Sequence, residues 1–265
     1  MILDTVYGAK NDDERAHTMS ELIYDPNKNA GPMYVVAFGS GSCSTIEKML
    51  EHQHVLDQIP GEEGFKVAAI VTDQHDSQAH IISDREGIPL VYNNLDKFME
   101  EQGMDPKDNK ERRDSQMRAA FDNATKDMLL QCAEKNRFRI DMIALAGYML
   151  RIYDPIVEQF SGKIINSHPA DLSILDNDGR RKYTGANTVL DAILAGEPET
   201  RTSIHIVRKE VDAGEILVTS RPLVIDRSSL HLVDKACKYD MCPETMKLVL
   251  DYDHYIRGST KMKRN

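Results

Sequence analysis

Three short stretches, apolar at almost every position, do most to limit the folds open to this chain. Residues 33–38 read Met-Tyr-Val-Val-Ala-Phe, 65–72 read Phe-Lys-Val-Ala-Ala-Ile-Val-Thr and 140–146 read Ile-Asp-Met-Ile-Ala-Leu-Ala. A strand with one wet face alternates apolar and polar residues, whereas a strand covered on both faces reads as a continuous apolar run. Segments of helical pattern separate the runs. A Gly-Ser-Gly-Ser turn at 39–42 leads into a helix near 44–54. A second helix, 77–86, stops at Gly87 before a short strand at 88–92, and residues 103–136 open with a charged stretch (105–114) and continue as a long helix. Further on, the pattern predicts a strand at 163–166, a helix at 187–195, strands at 203–208 and 216–222, and a helical stretch at 226–251. Strands alternating with helices define an α/β protein, here a mostly parallel sheet with helices on both faces. The first thirty residues form a polar N-terminal extension with a short helix near 12–22. Residues 31–225 form the main domain, and 226–265 a C-terminal helical extension ending in a basic tail with Lys261, Lys263 and Arg264.

Charge and cysteine usage narrow the classes of partner. With 43 acidic against 33 basic side chains, the chain carries a formal net charge of −10. That excess argues against a broad nucleic-acid footprint. No apolar run approaches the roughly 18–20 residues of a membrane span, and the N-terminus lacks the cationic and apolar segments of a signal peptide, so the expected setting is cytoplasmic. Cys237 and Cys242 are close in sequence but lack a second pair of ligands, and no metal site is expected.

Three places can carry chemistry. Residues 38–44 read Phe-Gly-Ser-Gly-Ser-Cys-Ser between a strand and a helix, where backbone N–H groups and the helix dipole favour an anion. No Gly-Lys-Ser/Thr comes after them, and Ser44 stands at the third glycine position of a dinucleotide fingerprint, so the plainer alternative is a tight turn capped by serine. Asp73, ending the second strand, could act as a ribose-binding acid, although it lies further on than usual. Asn166 and His168, two apart at a strand end, project to one side, at the edge where open parallel sheets place ligands. An amide beside an imidazole suits a reaction that develops an oxyanion and moves a proton. Asp212, in a glycine-containing turn at 210–216, is either a turn former or a partner that would hold the charged form of His168.

Taken together, the glycine turn at 38–42, Leu-Ala-Gly-Tyr-Met at 145–149, Asn-Ser-His-Pro at 166–169 and Val-Asp-Ala-Gly-Glu-Ile at 211–216 resemble, in order and spacing, the formyltransferase family. The resemblance spans about residues 33–224. It implies a Rossmann-like formyltransferase fold and a catalytic trio of Asn166, His168 and Asp212. It further implies a substrate-phosphate loop of Gly39, Ser40, Gly41, Ser42 and Cys43, and a folate pocket lined by Tyr148, Met149, Leu150, Arg151 and Ile152. The activity so implied passes a formyl group from the co-substrate 10-formyltetrahydrofolate to a primary amine, with glycinamide ribonucleotide of purine biosynthesis as the favoured acceptor. The partners are then this amine and a reduced folate, with room for a homo-oligomer and no role for nucleic acid or membrane.

The chain also departs from the family pattern. Cys43 stands where the phosphate loop commonly carries asparagine, and an inserted segment at 176–181 (Asp-Asn-Asp-Gly-Arg-Arg) comes after the Asn-x-His-Pro motif. A basic side chain of Arg180, Arg181 or Lys182 could supply the phosphate contact that Cys43 does not. These departures bear on the acceptor more than on the reaction. They keep open transfer to another amine such as an amino sugar, hydrolysis of formyltetrahydrofolate, and a non-catalytic nucleotide-binding protein. Hydrolases of that type carry an N-terminal regulatory domain, for which thirty residues are too few.

Overall fold

A computed structural model of the protein describes residues 31–59, 64–185 and 187–225. The expected helices at 12–22 and 226–251, the basic tail and the Cys237/Cys242 pair lie outside the described residues. The first half runs β1 (Met33–Phe38), α1 (Ser44–Leu56), β2 (Phe65–Thr72), α2 (Ala79–Glu86) and β3 (Leu90–Tyr92). Three helices, α3 (Leu95–Glu101), α4 (Asn109–Arg112) and α5 (Ser115–Asn136), then lead to β4 (Met142–Leu145), and α6 (Asp154–Gln159) leads to β5 (Ile164–His168). The remainder is α7 (Thr188–Leu194), β6 (Glu199–Thr200), β7 (Ser203–Ile206), β8 (Ile216–Thr219) and β9 (Leu223–Val224).

Seven strands form one sheet in the order β3-β2-β1-β4-β5-β7-β8, and β6 pairs with β9 in a separate ribbon. β3, β2, β1, β4 and β5 are parallel, whereas β7 lies antiparallel to β5 and β8 antiparallel to β7. The unbroken apolar runs are explained by cover on both faces. In β1, Val36 and Phe38 pack with Leu129 of α5 and Ile156 of α6, while Ala37 between them packs with Ile46 and Leu50 of α1. Successive side chains of a strand point to opposite faces, so both sets must be apolar. The strand order reverses between β1 and β4, which opens a crevice at their C-terminal ends. The glycine turn after β1 and the last residues of β5 lie along that same edge, about 10 Å apart with one strand between them.

The long helix expected after the charged stretch at 105–114 is α5, and the charged stretch itself holds the short α4. Asp108 caps α4 through the amides of Lys110 and Glu111, and Asp114 caps α5 through those of Gln116 and Met117. A second aspartate six residues after the first starts a new helix rather than extending the old one. By contrast, Gly87 stops α2 in the left-handed conformation (φ 65°), as its position suggests. No helix among the described residues is long and apolar enough to cross a membrane.

Candidate active site

β5 and β7 carry the centre of the site. Their antiparallel register sets Asn166 directly opposite His205 and His168 opposite Ser203. The hairpin that joins β7 to β8 then folds back so that Asp212 meets both histidines. Asp212 adopts the left-handed conformation (φ 52°), which aspartate tolerates better than most residues. Its Oδ2 lies 3.5 Å from His168 Nδ1 and its Oδ1 lies 3.4 Å from His205 Nε2. Asn166 Nδ2 is 3.3 Å from His205 Nε2. All three members of the expected trio therefore converge, and a fourth residue, His205, joins them. No sequence signal pointed to His205, because its closeness to Asn166 depends on β7 running antiparallel to β5.

Hydrogen-bond partners fix the tautomers. His168 Nε2 lies 2.9 Å from the Tyr183 carbonyl, which can only accept, so Nε2 carries the proton. His205 Nδ1 likewise faces the Ile206 carbonyl at 2.9 Å, leaving its Nε2 to accept from Asn166 when the ring is neutral. The Asn166 amide has two N–H groups and gives one to His205, so the other remains for a ligand.

Burial pushes the His168 pKa down, and the opposing pull of Asp212 and the Tyr183 carbonyl does not restore it. The expectation that Asp212 keeps His168 charged is thus corrected. The ring is only 3% exposed, and removal from water outweighs one carboxylate at 3.5 Å. For Asp212 the balance goes the other way. Burial raises its carboxyl, but the adjacent His205 and the hydrogen bond from the Gly185 amide outweigh it and hold it below the ordinary carboxylate range. The result is a neutral imidazole beside an ionised carboxylate.

The glycine turn is built differently from its simple reading. Ser40 is buried. Its hydroxyl donates to Asp73 Oδ1 at 2.5 Å and accepts from the Met149 amide at 2.9 Å, while its own amide bonds to Gly147. Ser40 therefore ties the turn to the segment after β4 and has no donor left for an anion. Asp73 is 1% exposed and bonded by Ser40 and Gln74, which closes it to a ribose. Cys43 caps α1 in the left-handed conformation (φ 51°) and its Sγ faces Ser77 Oγ at 3.3 Å, inside the protein. Burial raises this thiol's pKa, with Ser77 and Ala79 only partly offsetting it. Gly41 and Ser42 are the exposed residues at the helix N-terminus, and Gly39 is packed beneath them, where a Cβ would meet Cys43 Sγ at 2.8 Å.

The segment after β4 forms the third wall. Met149 is 67% exposed at its mouth, Tyr148 stacks edge-on against Phe38, and Ile152 is buried in the core. Arg151 bonds the Lys209 carbonyl and lies over the Tyr153 ring. Beneath, on α5, Arg118 donates to the Arg151 carbonyl and Asp122 accepts from the Tyr153 amide at 2.5 Å. Burial lifts the Asp122 carboxyl to about 6 despite that amide and Arg118. Because its folded pKa is raised, Asp122 contributes most to stability below its unfolded value and loses that contribution as pH rises through about 6. Comparing the native protein with Asp122→Asn by denaturant unfolding should show the native form losing about 2 kcal/mol relative to the variant between pH 4 and pH 8. Parallel pH curves for the two proteins would contradict this.

An α/β sheet whose switch-point crevice meets an Asn-x-His strand end and an aspartate turn defines a class of protein that comparison with known families identifies. The chain belongs to the formyl transferase family, whose model matches residues 33–240. Among curated proteins it is similar to the phosphoribosylglycinamide formyltransferase of Haemophilus influenzae, at 32% identity over 229 residues, covering 85% of this chain and 88% of that relative. Among solved structures it resembles phosphoribosylglycinamide formyltransferase from Bacillus halodurans, with a TM-score of 0.56 and 21% identity, covering 83% of this chain and 89% of the other. A formyltetrahydrofolate deformylase from Pseudomonas syringae shares the fold with a TM-score of 0.54 and 17% identity, over 84% of this chain and 58% of its own.

Proposed function

We propose that the protein transfers the formyl group of 10-formyltetrahydrofolate to the amine of glycinamide ribonucleotide, a step of purine biosynthesis. The observation that carries this reading is the Asp212 carboxylate set between His168 and His205, with Asn166 on the same strand end. The Haemophilus influenzae relative, similar over most of both chains, supports the choice of acceptor.

In this mechanism the amine attacks the formyl carbon, forming an N–C bond and leaving negative charge on the formyl oxygen. The second N–H of Asn166 and the Nε2–H of His168, held in the free protein by the Tyr183 carbonyl, are the donors this oxygen would take over. One such donor typically stabilises the transition state by roughly 3–4 kcal/mol. The ionised Asp212 can accept the proton released by the amine and share it with His168 Nδ1, the nitrogen left free in the neutral ring and 3.5 Å from the carboxylate. Passing that proton to the departing folate nitrogen completes the breakage of its C–N bond. The exposed Gly41 and Ser42 at the α1 N-terminus, with the Cys43 amide, are the groups we assign to the acceptor's phosphate. Tyr148, Met149, Leu150, Arg151 and Ile152 are assigned to the folate.

The test is to incubate the protein with 10-formyltetrahydrofolate, with and without glycinamide ribonucleotide, and to follow release of the unformylated folate. Release that depends on the amine supports the proposal. Release at the same rate without any amine would make the protein a hydrolase, and no release in either case would reject both.

A further inference from the structure

The inserted segment after the Asn-x-His-Pro motif is a self-braced hairpin. Leu175 and Arg181 form an antiparallel bridge, and the Lys182 amide bonds the Ile174 carbonyl at 2.9 Å. At the tip, Asp176 Oδ1 accepts from the amides of Asp178 and Arg180 at 2.9 and 2.8 Å, and Gly179 turns the chain with φ 75°. None of these contacts involves the sheet, so the hairpin holds its own shape and anchors the segment on its C-terminal side.

That segment, 181–185, is a wall against the catalytic groups. The half-buried Arg181 donates from Nη1 to the Asp212 carbonyl and from Nη2 to the Gly214 carbonyl at 2.8 Å. Two residues on, the Tyr183 carbonyl receives His168 Nε2, and two further on the Gly185 amide bonds Asp212 Oδ2 at 2.8 Å. Lys182 is drawn away to Glu197, 2.9 Å distant. The basic run expected to reach an anion thus sends its central member to backbone carbonyls of the catalytic turn.

We propose that Arg181 is a positioning residue for the reaction. Its planar fork spans two carbonyls of the hairpin turn and fixes the left-handed backbone of Asp212, so that the carboxylate stays between His168 and His205. Arginine suits this task because its two donors are set in one rigid plane, whereas lysine offers a single point of attachment. Without the fork, the 207–215 turn keeps the Arg208–Glu215 pair at its base and the Gly185 amide on the Asp212 carboxylate, but the backbone of its tip loses both bonds from Arg181. This inference rests on the proposed formyl transfer for its kinetic consequences, though not for its spectroscopic ones.

The charged and titratable groups facing His168 are Asp212, His205 and Arg181 itself, so its titration reports on their placement. The experiment is a double-substitution cycle on the His168 midpoint, read by NMR of histidine-labelled full-length protein. In the native background, Asp212→Asn should lower the midpoint, because the carboxylate favours the charged ring. In an Arg181→Ala background the same substitution should move it by less than half as much. An equal shift in both backgrounds would overturn the proposal. Kinetically, Arg181→Ala should reduce kcat roughly 10- to 100-fold, as expected for a misplaced catalytic group, with KM for folate changed by less than about threefold. Added guanidinium should recover part of the loss, and unchanged kcat would again overturn the inference. Should Arg181→Ala fail to fold, Arg181→Lys carries the same cycle. A native protein inactive towards the amine would sink the proposed function alone, since the midpoint cycle still decides the role of Arg181.

Discussion

Replacing Asp212 by asparagine should lower turnover by about 10²-fold or more while leaving the fold intact, the range expected for a group that serves general acid–base chemistry. The substitution is nearly isosteric. Asparagine tolerates the left-handed backbone, and its carbonyl oxygen can keep the 2.8 Å bond from the Gly185 amide. What disappears is the charge that favours an imidazolium at His168, 3.5 Å away. KM for the folate should change little. Stability adds a second readout with a definite sign. Because the folded carboxyl is held below its ordinary pKa, its contribution is present above that ordinary value and is lost as pH falls through the depressed one. The stability gap between native and variant should therefore close in acid. Turnover within about threefold of native would remove Asp212 from the mechanism.

Gly214→Ala should cost both stability and activity. A Cβ there would lie 1.8 Å from the Ile206 carbonyl oxygen and 2.8 Å from its carbon, both backbone atoms. Ile206 cannot retreat easily, since its own amide bonds the Glu215 carbonyl at 2.9 Å across the hairpin. Accommodating the methyl requires parting β7 from the turn, at a cost on the order of 3 kcal/mol, the upper end for forced overpacking. The Arg181 bond to the Gly214 carbonyl moves with it, so turnover should fall as well. Gly41→Ala is the matched control. Its Cβ would meet nothing within 4 Å, and stability should stay within about 0.5 kcal/mol of native. Equal melting temperatures for the two variants would refute the packing argument.

Sequence patterning located some parts of this architecture to the residue and was blind to others, for physical reasons. β1 and β2 match their expected limits because each is a continuous apolar run with a glycine close to one end. α3 and α6, with seven and six residues, were not expected, being too short to establish a period. For α6, the pair Asp154 and Pro155 was an available start signal. Asn166, His168 and Asp212 were legible as separate candidates from their places at a strand end and in a turn, and as a trio only through the resemblance to the formyltransferase family. His205 was not, because a residue in a strand gains its neighbours from strand order and direction, which neither composition nor periodicity encodes. Ser40 is a similar case. It looked like an anion donor, and only the approach of Asp73 and the Met149 amide, from segments 33 and 109 residues away, consumes its hydroxyl.

The crevice between β1 and β4 has a consequence for how the protein assembles. β1 pairs with β2 through partners such as Met33 and Phe65, and β7 with β8 through Ser203 and Thr219, whereas β1 joins β4 through Val35 and Met142. Bringing that last pair together closes a far longer loop, costing about 1 kcal/mol more entropy on the bare chain than closing β1 on β2. The seam that opens onto the ligand cleft is thus the contact in the sheet with the largest loop-closure cost on the bare chain. Ser40, reaching over it to Met149, is one stitch across that seam. A ligand held by both the glycine turn and the segment after β4 would be another, and its binding would slow the parting of the two halves of the sheet.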